Sequence, residues 1–147
     1  MQKIYIEEVK DIYSDTLKEM LIDLFKELGD ESFLHMYDSY VRSKKDKGNF
    51  VNWIIYNNVG KIGFIIYRII LHRYKPISIG YIDELYVKKE YRRKGISKKA
   101  MRLIIRELKE KDVLRVDLDV MKQNVVAKKF WVSLGFTKVY EHYRKEL

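Results

Sequence analysis

The chain has 147 residues, of which 47% are apolar, 35% charged and 14% aromatic. One domain over 1–147 is expected, long enough to bury about 68–70% of its unfolded surface without disulfides, and the composition excludes a disordered tail, a collagen-like repeat and a mucin-like stalk. Cysteine is absent, which removes disulfides, thiolate metal sites and a cysteine nucleophile, while a net charge of +9 points either to an anionic partner or to a lysine-rich solvated surface.

Met1–Lys10 carries mixed charge and has no signal-peptide core. No run of about 18 apolar residues occurs anywhere, so no membrane partner and a cytoplasmic location are expected. Ile4 and Ile6 predict a short strand over 2–7. Residues 11–28 switch to helical spacing, with Leu17, Leu21, Leu24, Phe25 and Leu28 on one face and Gly29 as the stop. A second helix is predicted over 31–43, then a charged loop, Lys44–Gly48. Phe50–Tyr56 and Lys61–Leu71 read as a hairpin around Asn57-Asn58-Val59-Gly60. Pro76, the only proline, breaks the run, and Ile77–Val87 is the next strand. Gly95–Glu110 is strongly helical, Leu114–Val120 alternates as a strand, Asn124–Leu134 is a short helix, and Phe136–Tyr143 is a last strand. The order β-α-α-β-β-β-α-β-α-β describes an α/β or α+β domain with a mixed sheet flanked by helices, and not a Rossmann fold.

The most informative stretch lies between a predicted strand and a predicted helix: Tyr91-Arg92-Arg93-Lys94-Gly95-Ile96-Ser97-Lys98-Lys99. Five of the eight residues from 92 to 99 are cations and none is acidic. A helix start carries partial positive charge and prefers Asp or Glu. Cations there call for an anion, and the unpaired N–H groups can cradle phosphate oxygens. Gly95 admits positive φ and close approach of a ligand, and Ser97 is a small hydroxyl donor. A basic loop with Gly95 as a turn residue is the plainer alternative. The second glycine and the Lys-Ser/Thr spacing of a Walker-A loop are missing.

Arg92-x-x-Gly95-x-Ser97, after Leu85-Tyr86-Val87, resembles the acyl-CoA-binding motif of the GNAT N-acetyltransferase superfamily. A second block agrees: Asn124-x-x-Ala127-x-x-Phe130-Trp131-x-x-Leu134-Gly135-Phe136 is similar to the family's Asn-x-x-Ala block ending in Gly-Phe. The resemblance covers residues 77–136, and the upstream hairpin and two helices fit the family's element order. It implies a mostly antiparallel twisted sheet whose central strands splay to admit the pantetheine arm. It also implies an acetyl-CoA-dependent N-acetyltransferase acting by direct transfer to a primary amine. Leu85, Tyr86 and Val87 would line the pantetheine. Arg92, Arg93, Lys94, Gly95, Ile96 and Ser97 would hold the pyrophosphate. Asn124 would contact the pantetheine, or simply cap the helix that follows. Trp131 departs from the family pattern, which often has a tyrosine there to protonate the leaving thiolate. Indole has no proton of useful acidity, so Trp131 is expected to pack.

Acyl transfer needs a neutral amine, hence a base. Asp83 and Glu84 interrupt an apolar strand just before Leu85 and are the catalytic candidates, with Glu84 slightly favoured. Regular alternation would send them to opposite faces, leaving one for the acceptor. An ordinary ion pair with a lysine is the competing role. Asp117 and Asp119 share a strand face and are expected near Arg115. Tyr140 and Tyr143 either approach the acceptor or cover the sheet. His35, His72 and His142 are scattered, so no metal is expected. The acceptor surface is expected to draw on the early helices, including Asp30, Glu31 and Asp38. A non-catalytic CoA-binding protein and a basic nucleic-acid-binding module are the alternative functions. Against nucleic acid, the cations outside 92–99 interleave with acids, as in Arg106-Glu107-Leu108-Lys109-Glu110. The identity of the acceptor and the oligomeric state, a homodimer among the options, are not readable from the residues.

Overall fold

The structure is a computed structural model and describes residues 3–147. Gln2, at the start of the first predicted strand, lies outside the described residues. Five strands, β1 (Ile4–Glu8), β2 (Phe50–Tyr56), β3 (Gly60–Leu71), β4 (Ser78–Val87) and β5 (Val113–Leu118), form one sheet in that spatial order. β1 to β4 pair antiparallel, β1 reaching β2 through the segment that holds the first two helices and β2, β3 and β4 following through short turns. β5 pairs parallel to β4. Parallel pairing needs a crossover, and α3 (Ile96–Glu110) supplies it.

The helices divide over the two faces of the sheet. α1 (Asp15–Glu27) and α2 (Phe33–Asp46) pack Leu17, Leu21, Phe33 and Tyr37 against Trp53, Phe64 and Ile66. On the other face, α3 packs Ile96, Met101 and Ile104 against Ile62, Ile65 and Tyr67, joined by Phe130, Trp131 and Leu134 of α4 (Val125–Ser133) and its end. β3 is therefore buried on both sides, which is why 62–67 reads as a near-continuous apolar run. Gly63 is required where β3 crosses β4, because a Cβ there would lie 2.1 Å from the Tyr86 carbonyl oxygen.

The architecture is the expected mixed α/β sheet with flanking helices. α2 runs to Asp46, into the expected charged loop; Lys44 and Lys45 in its last turn favour the negative end of the helix dipole. The last predicted strand does not form. Residues 137–147 are irregular and exposed, since no neighbouring strand offers them a ladder of hydrogen bonds. Among the described residues no helix is long and apolar enough to cross a membrane.

Candidate active site

The pairing of β4 with β3 has one irregularity, and it falls on the two candidate carboxylates. Ile66 pairs with Glu84 while Tyr67 pairs with Ile82, so Asp83 is an extra residue opposite no partner. Such a bulge interrupts alternation. The expectation that Asp83 and Glu84 point to opposite faces is thereby corrected. Ile82 packs in the α3 core, and both carboxylates sit on the side of α2.

Their surroundings differ. Asp83 is held at three points. Lys44 Nζ donates to Oδ2 at 3.0 Å, Asn49 Nδ2 to the same oxygen at 2.7 Å, and Arg68 Nε to Oδ1 at 3.1 Å. The carboxylate is thus ion-paired twice and 10% exposed. The Arg68 guanidinium also lies 4.4 Å from the Tyr81 ring centroid. Glu84 has no such clamp. Burial pushes its carboxyl up to about 7, with Lys44 pulling the other way and the Asp83 charge reinforcing the rise. Tyr40 lies beside Glu84, and its hydroxyl is buried without a fully formed hydrogen bond. Burial raises the Tyr40 phenol far above its usual range, so it is a poor acid. Asn49 Oδ1 is the other buried polar atom here without a partner.

Beyond these carboxylates β4 loses its outer neighbour. The last β4–β5 pair is Ile82 with Leu118, so Asp83–Val87 has no partner on that side. Lys88 N–H bonds the Ile62 carbonyl on β3. Alternation then turns the main-chain groups of Leu85 and Val87 toward the open side. This is the splay that the resemblance implied, and it gives free donors and acceptors beside Glu84. Tyr86 is buried in the α1/α2 core, and the same alternation turns its main-chain groups to β3.

The loop that follows is built around Gly95, which has φ +75° and precedes the first residue of α3. A Cβ at Gly95 would meet no atom within 4 Å, so the space over it is open. Lys99 N–H makes the first turn's bond, to the Gly95 carbonyl. Among the described residues, the N–H groups of Arg93 through Lys98 meet no main-chain acceptor. Arg93 has φ +61°, an uncommon conformation for a non-glycine residue. Ile96 is buried and anchors the helix start, so it can offer a ligand only its N–H. The Arg92 side chain is occupied elsewhere: Nε donates to the Val87 carbonyl at 2.7 Å and one terminal nitrogen to Glu27 at 2.7 and 2.8 Å. Arg92 therefore braces the loop against β4 and α1. Arg93 and Lys94 are the exposed cations beside the N–H groups.

Asn124 caps α4, its Oδ1 accepting from Ala127 N–H at 3.0 Å. Trp131 packs against Phe130 and Phe136, with centroids at 4.8 and 5.2 Å. Arg115 pairs with Asp117 at 3.6 Å, while Asp119 instead accepts from the Tyr81 hydroxyl. Asp30, Glu31 and Asp38 are exposed, and the early-helix residues that reach the carboxylates are Tyr40 and Lys44. Tyr140 and Tyr143 lie on the exposed tail. A groove of about 530 Å³ between α1 and the end of β4 holds neither carboxylate; acids such as Glu19 and Asp23 and the lysines Lys26, Lys88 and Lys89 line it together.

The sequence matches the model of the acetyltransferase (GNAT) family over residues 6–136. No curated protein matches the chain. Among solved structures it is similar to a protein of Clostridium difficile 630 described as a possible acetyltransferase, with 24% identity, a TM-score of 0.82, and 98% of this chain and 97% of that one covered. It is also similar to the ribosomal-protein-alanine N-acetyltransferase of Brucella melitensis biovar Abortus 2308, with 16% identity, a TM-score of 0.76 and coverage of 100% and 99%. A third similar structure is an aminoglycoside acetyltransferase from an uncultured soil metagenomic sample, with 12% identity, a TM-score of 0.75 and coverage of 100% and 99%. With the family model spanning most of the chain and the sheet opening beside Glu84, the chain belongs to the GNAT acetyltransferase family.

Proposed function

We propose that the chain transfers an acetyl group from acetyl-CoA directly to a primary amine, with Glu84 as general base. The observation that carries this reading is a carboxyl poised near neutrality at the point where β4 loses its outer partner. The free main-chain groups of Leu85 and the Val87 N–H suit a pantetheine arm; the Val87 carbonyl is taken by Arg92. The unpaired N–H groups around Gly95 suit the pyrophosphate, with Arg93 and Lys94 adding charge and Ser97 a hydroxyl. Asn124 serves this site by fixing the start of α4.

The chemistry follows from ordinary pKa values. A primary amine arrives largely as ammonium, with a pKa of about 10.4. Glu84 accepts a proton from it, and a base titrating near ambient pH does this best. The nitrogen lone pair then attacks the thioester carbon and a C–N bond forms. Charge collects on the carbonyl oxygen, where N–H donors of the open β4 edge can stabilise it. The C–S bond breaks with its electron pair on sulfur. A thiol pKa of about 8.5 lets solvent supply the last proton. Trp131 in place of an acidic phenol therefore does not prevent turnover.

The test is thiol release from acetyl-CoA with a panel of amines: an aminoglycoside, a polyamine, an amino acid, a peptide N-terminus and a protein lysine. At least one amine should raise the rate above hydrolysis. In parallel, CoA at about 100 times its dissociation constant should stabilise the fold by about 2.7 kcal/mol. No melting shift at millimolar CoA, with no amine-dependent release, would overturn the reading.

A further inference from the structure

Charge is divided unevenly between the two faces of the sheet. Residues 15–46, which form α1, α2 and their connection, carry eight acids and five cations. Residues 92–110, the phosphate loop and α3 on the other face, carry eight cations and two acids. In sequence the two signs look interleaved, as in Arg106-Glu107-Leu108-Lys109-Glu110. The structure separates them. Glu107 turns inward, where its carboxylate accepts from the Tyr67 hydroxyl. Lys98, Arg102, Arg106 and Lys109 turn outward. At about 100° per residue these four fall within an arc of about 80°. The arc lies opposite the side on which Ala100, Ile104 and Leu108 are buried. Glu110, the one exposed acid of α3, stands at its flank.

Among the described residues, none of the four cations takes part in an ion pair. Lys98 and Arg102 are four residues apart, and so are Arg102 and Arg106. Like charges at that spacing on a helix repel, so the row is unfavourable until an anion covers it. A pyrophosphate seated at Gly95 relieves only the near end. Arg106 and Lys109 lie about 16 and 21 Å further along the axis. The far cations therefore call for a longer polyanion.

The shape of the row suits duplex DNA. From Lys98 to Lys109 it spans about 16 Å, the length of about five phosphates of one strand. An α-helix is about 10–12 Å across, and the major groove of B-DNA is about 12 Å wide. The major groove of an RNA duplex is too narrow for such a ridge. α3 has no aromatic residue on which the bases of a single strand could stack. A lipid surface is also poorly matched, because the apolar side of α3 is spent in the core and nothing is left to insert.

We propose that α3 is a docking ridge for duplex DNA, contacted through its phosphates without reading of bases. The ridge lies on the α3 face of the sheet and Glu84 on the α2 face, so docked DNA leaves the carboxylates uncovered. The inference needs only the fold and the charges, and it stands whether or not Glu84 is the base in acetyl transfer.

Fluorescence anisotropy with a short labelled DNA duplex of arbitrary sequence tests it. The dissociation constant should fall in the range of about 10⁻⁴–10⁻⁶ M near physiological salt. Four phosphate contacts give a slope of about −3.6 for log affinity against log salt. Arg102→Glu/Arg106→Glu should weaken binding by at least about tenfold and roughly halve that slope. Both side chains are exposed, so circular dichroism and CoA affinity should be unchanged. Arg42→Glu/Lys45→Glu makes the same change in net charge on α2 and should alter DNA binding by less than about twofold. Absence of DNA binding would overturn the proposal. So would an equal loss in the α2 variant, since net charge alone would then suffice. A parallel loss of CoA affinity in the α3 variant would assign the row to CoA instead. Tighter binding to an RNA duplex of equal length, or to phosphatidylserine vesicles, would also overturn it.

Discussion

The two halves of β4 carry the same kind of sequence and do different work. Ser78–Ile82 is paired on both sides, with β3 and β5. Asp83–Val87 is paired on one side only, with β3. One extra residue, Asp83, separates the halves. It turns two adjacent carboxylates to the same side and marks where the sheet opens. The first of them is fixed by Lys44, Arg68 and Asn49. The second is left buried, with its carboxyl near neutrality. Neighbouring residues of like chemistry thus sit in different surroundings, one carboxylate clamped and one buried without a clamp, and partners on α2 and β3 set the difference.

Exchanging each carboxylate for its amide breaks the comparison most sharply. Glu84→Gln should lower the acetylation rate at neutral pH by about 10²–10⁴-fold, with partial recovery at high pH where the amine loses its proton unaided. CoA binding should barely change. Stability should move the other way. The Glu84 carboxyl has its folded-state pKa, about 7, above its ordinary value of 4.5, so the native state holds the proton more tightly. Its contribution is intact below pH 4.5 and is lost as pH rises through 7. Removing the charge should therefore stabilise the fold above neutrality by up to about 3 kcal/mol, with no gain near pH 4, as thermal melts across that range would report.

Gly95→Val affects the phosphate cradle rather than the base. A β-branched residue at φ +75° costs about 1–2 kcal/mol of stability, and its side chain enters the open space over the loop. CoA affinity, read by calorimetry, should fall by more than about tenfold while circular dichroism keeps the native signal. Unchanged affinity would place the phosphates elsewhere.

Asp83→Asn is the counterpart to Glu84→Gln. It removes the shared partner of Lys44 and Arg68 and should cost about 1–3 kcal/mol in denaturant titrations. Activity at neutral pH should survive. Because the Asp83 charge helps raise Glu84, its loss should move the acid limb of the pH–rate profile downward. The smallest effect belongs to Tyr40→Phe. Its hydroxyl favours the Glu84 carboxylate, so the same limb should move upward, by less than about one pH unit.

The order of elements along the chain as far as α4, the starts and stops of α1, α3 and α4, and the turn at Gly95 were legible in the sequence, because periodicity, caps and a local motif are short-range signals. Asn124 showed both its motif and its capping chemistry, and the structure displays the cap. The bulge at Asp83 was not legible, since nothing in Ile82-Asp83-Glu84-Leu85 reveals a skipped partner on β3. The clamp on Asp83 was equally hidden. Lys44 is 39 residues away and Asn49 is 34 away, and both lie in or next to what reads as a charged loop. A bare run of polar residues does not tell which of them turns inward. The tail shows the opposite failure: Phe136–Tyr143 has a strand's pattern, but a strand also needs a neighbour, and pattern alone does not provide one.

Glu84, buried where β4 loses its outer partner, is held near neutrality. Carbon-13 titration of the side-chain carboxyls by nuclear magnetic resonance tests it without knowledge of the acceptor. The Glu84 resonance, assigned by its disappearance in Glu84→Gln, should titrate with a midpoint near 7. A midpoint at the ordinary glutamate value of about 4.3 would contradict the account.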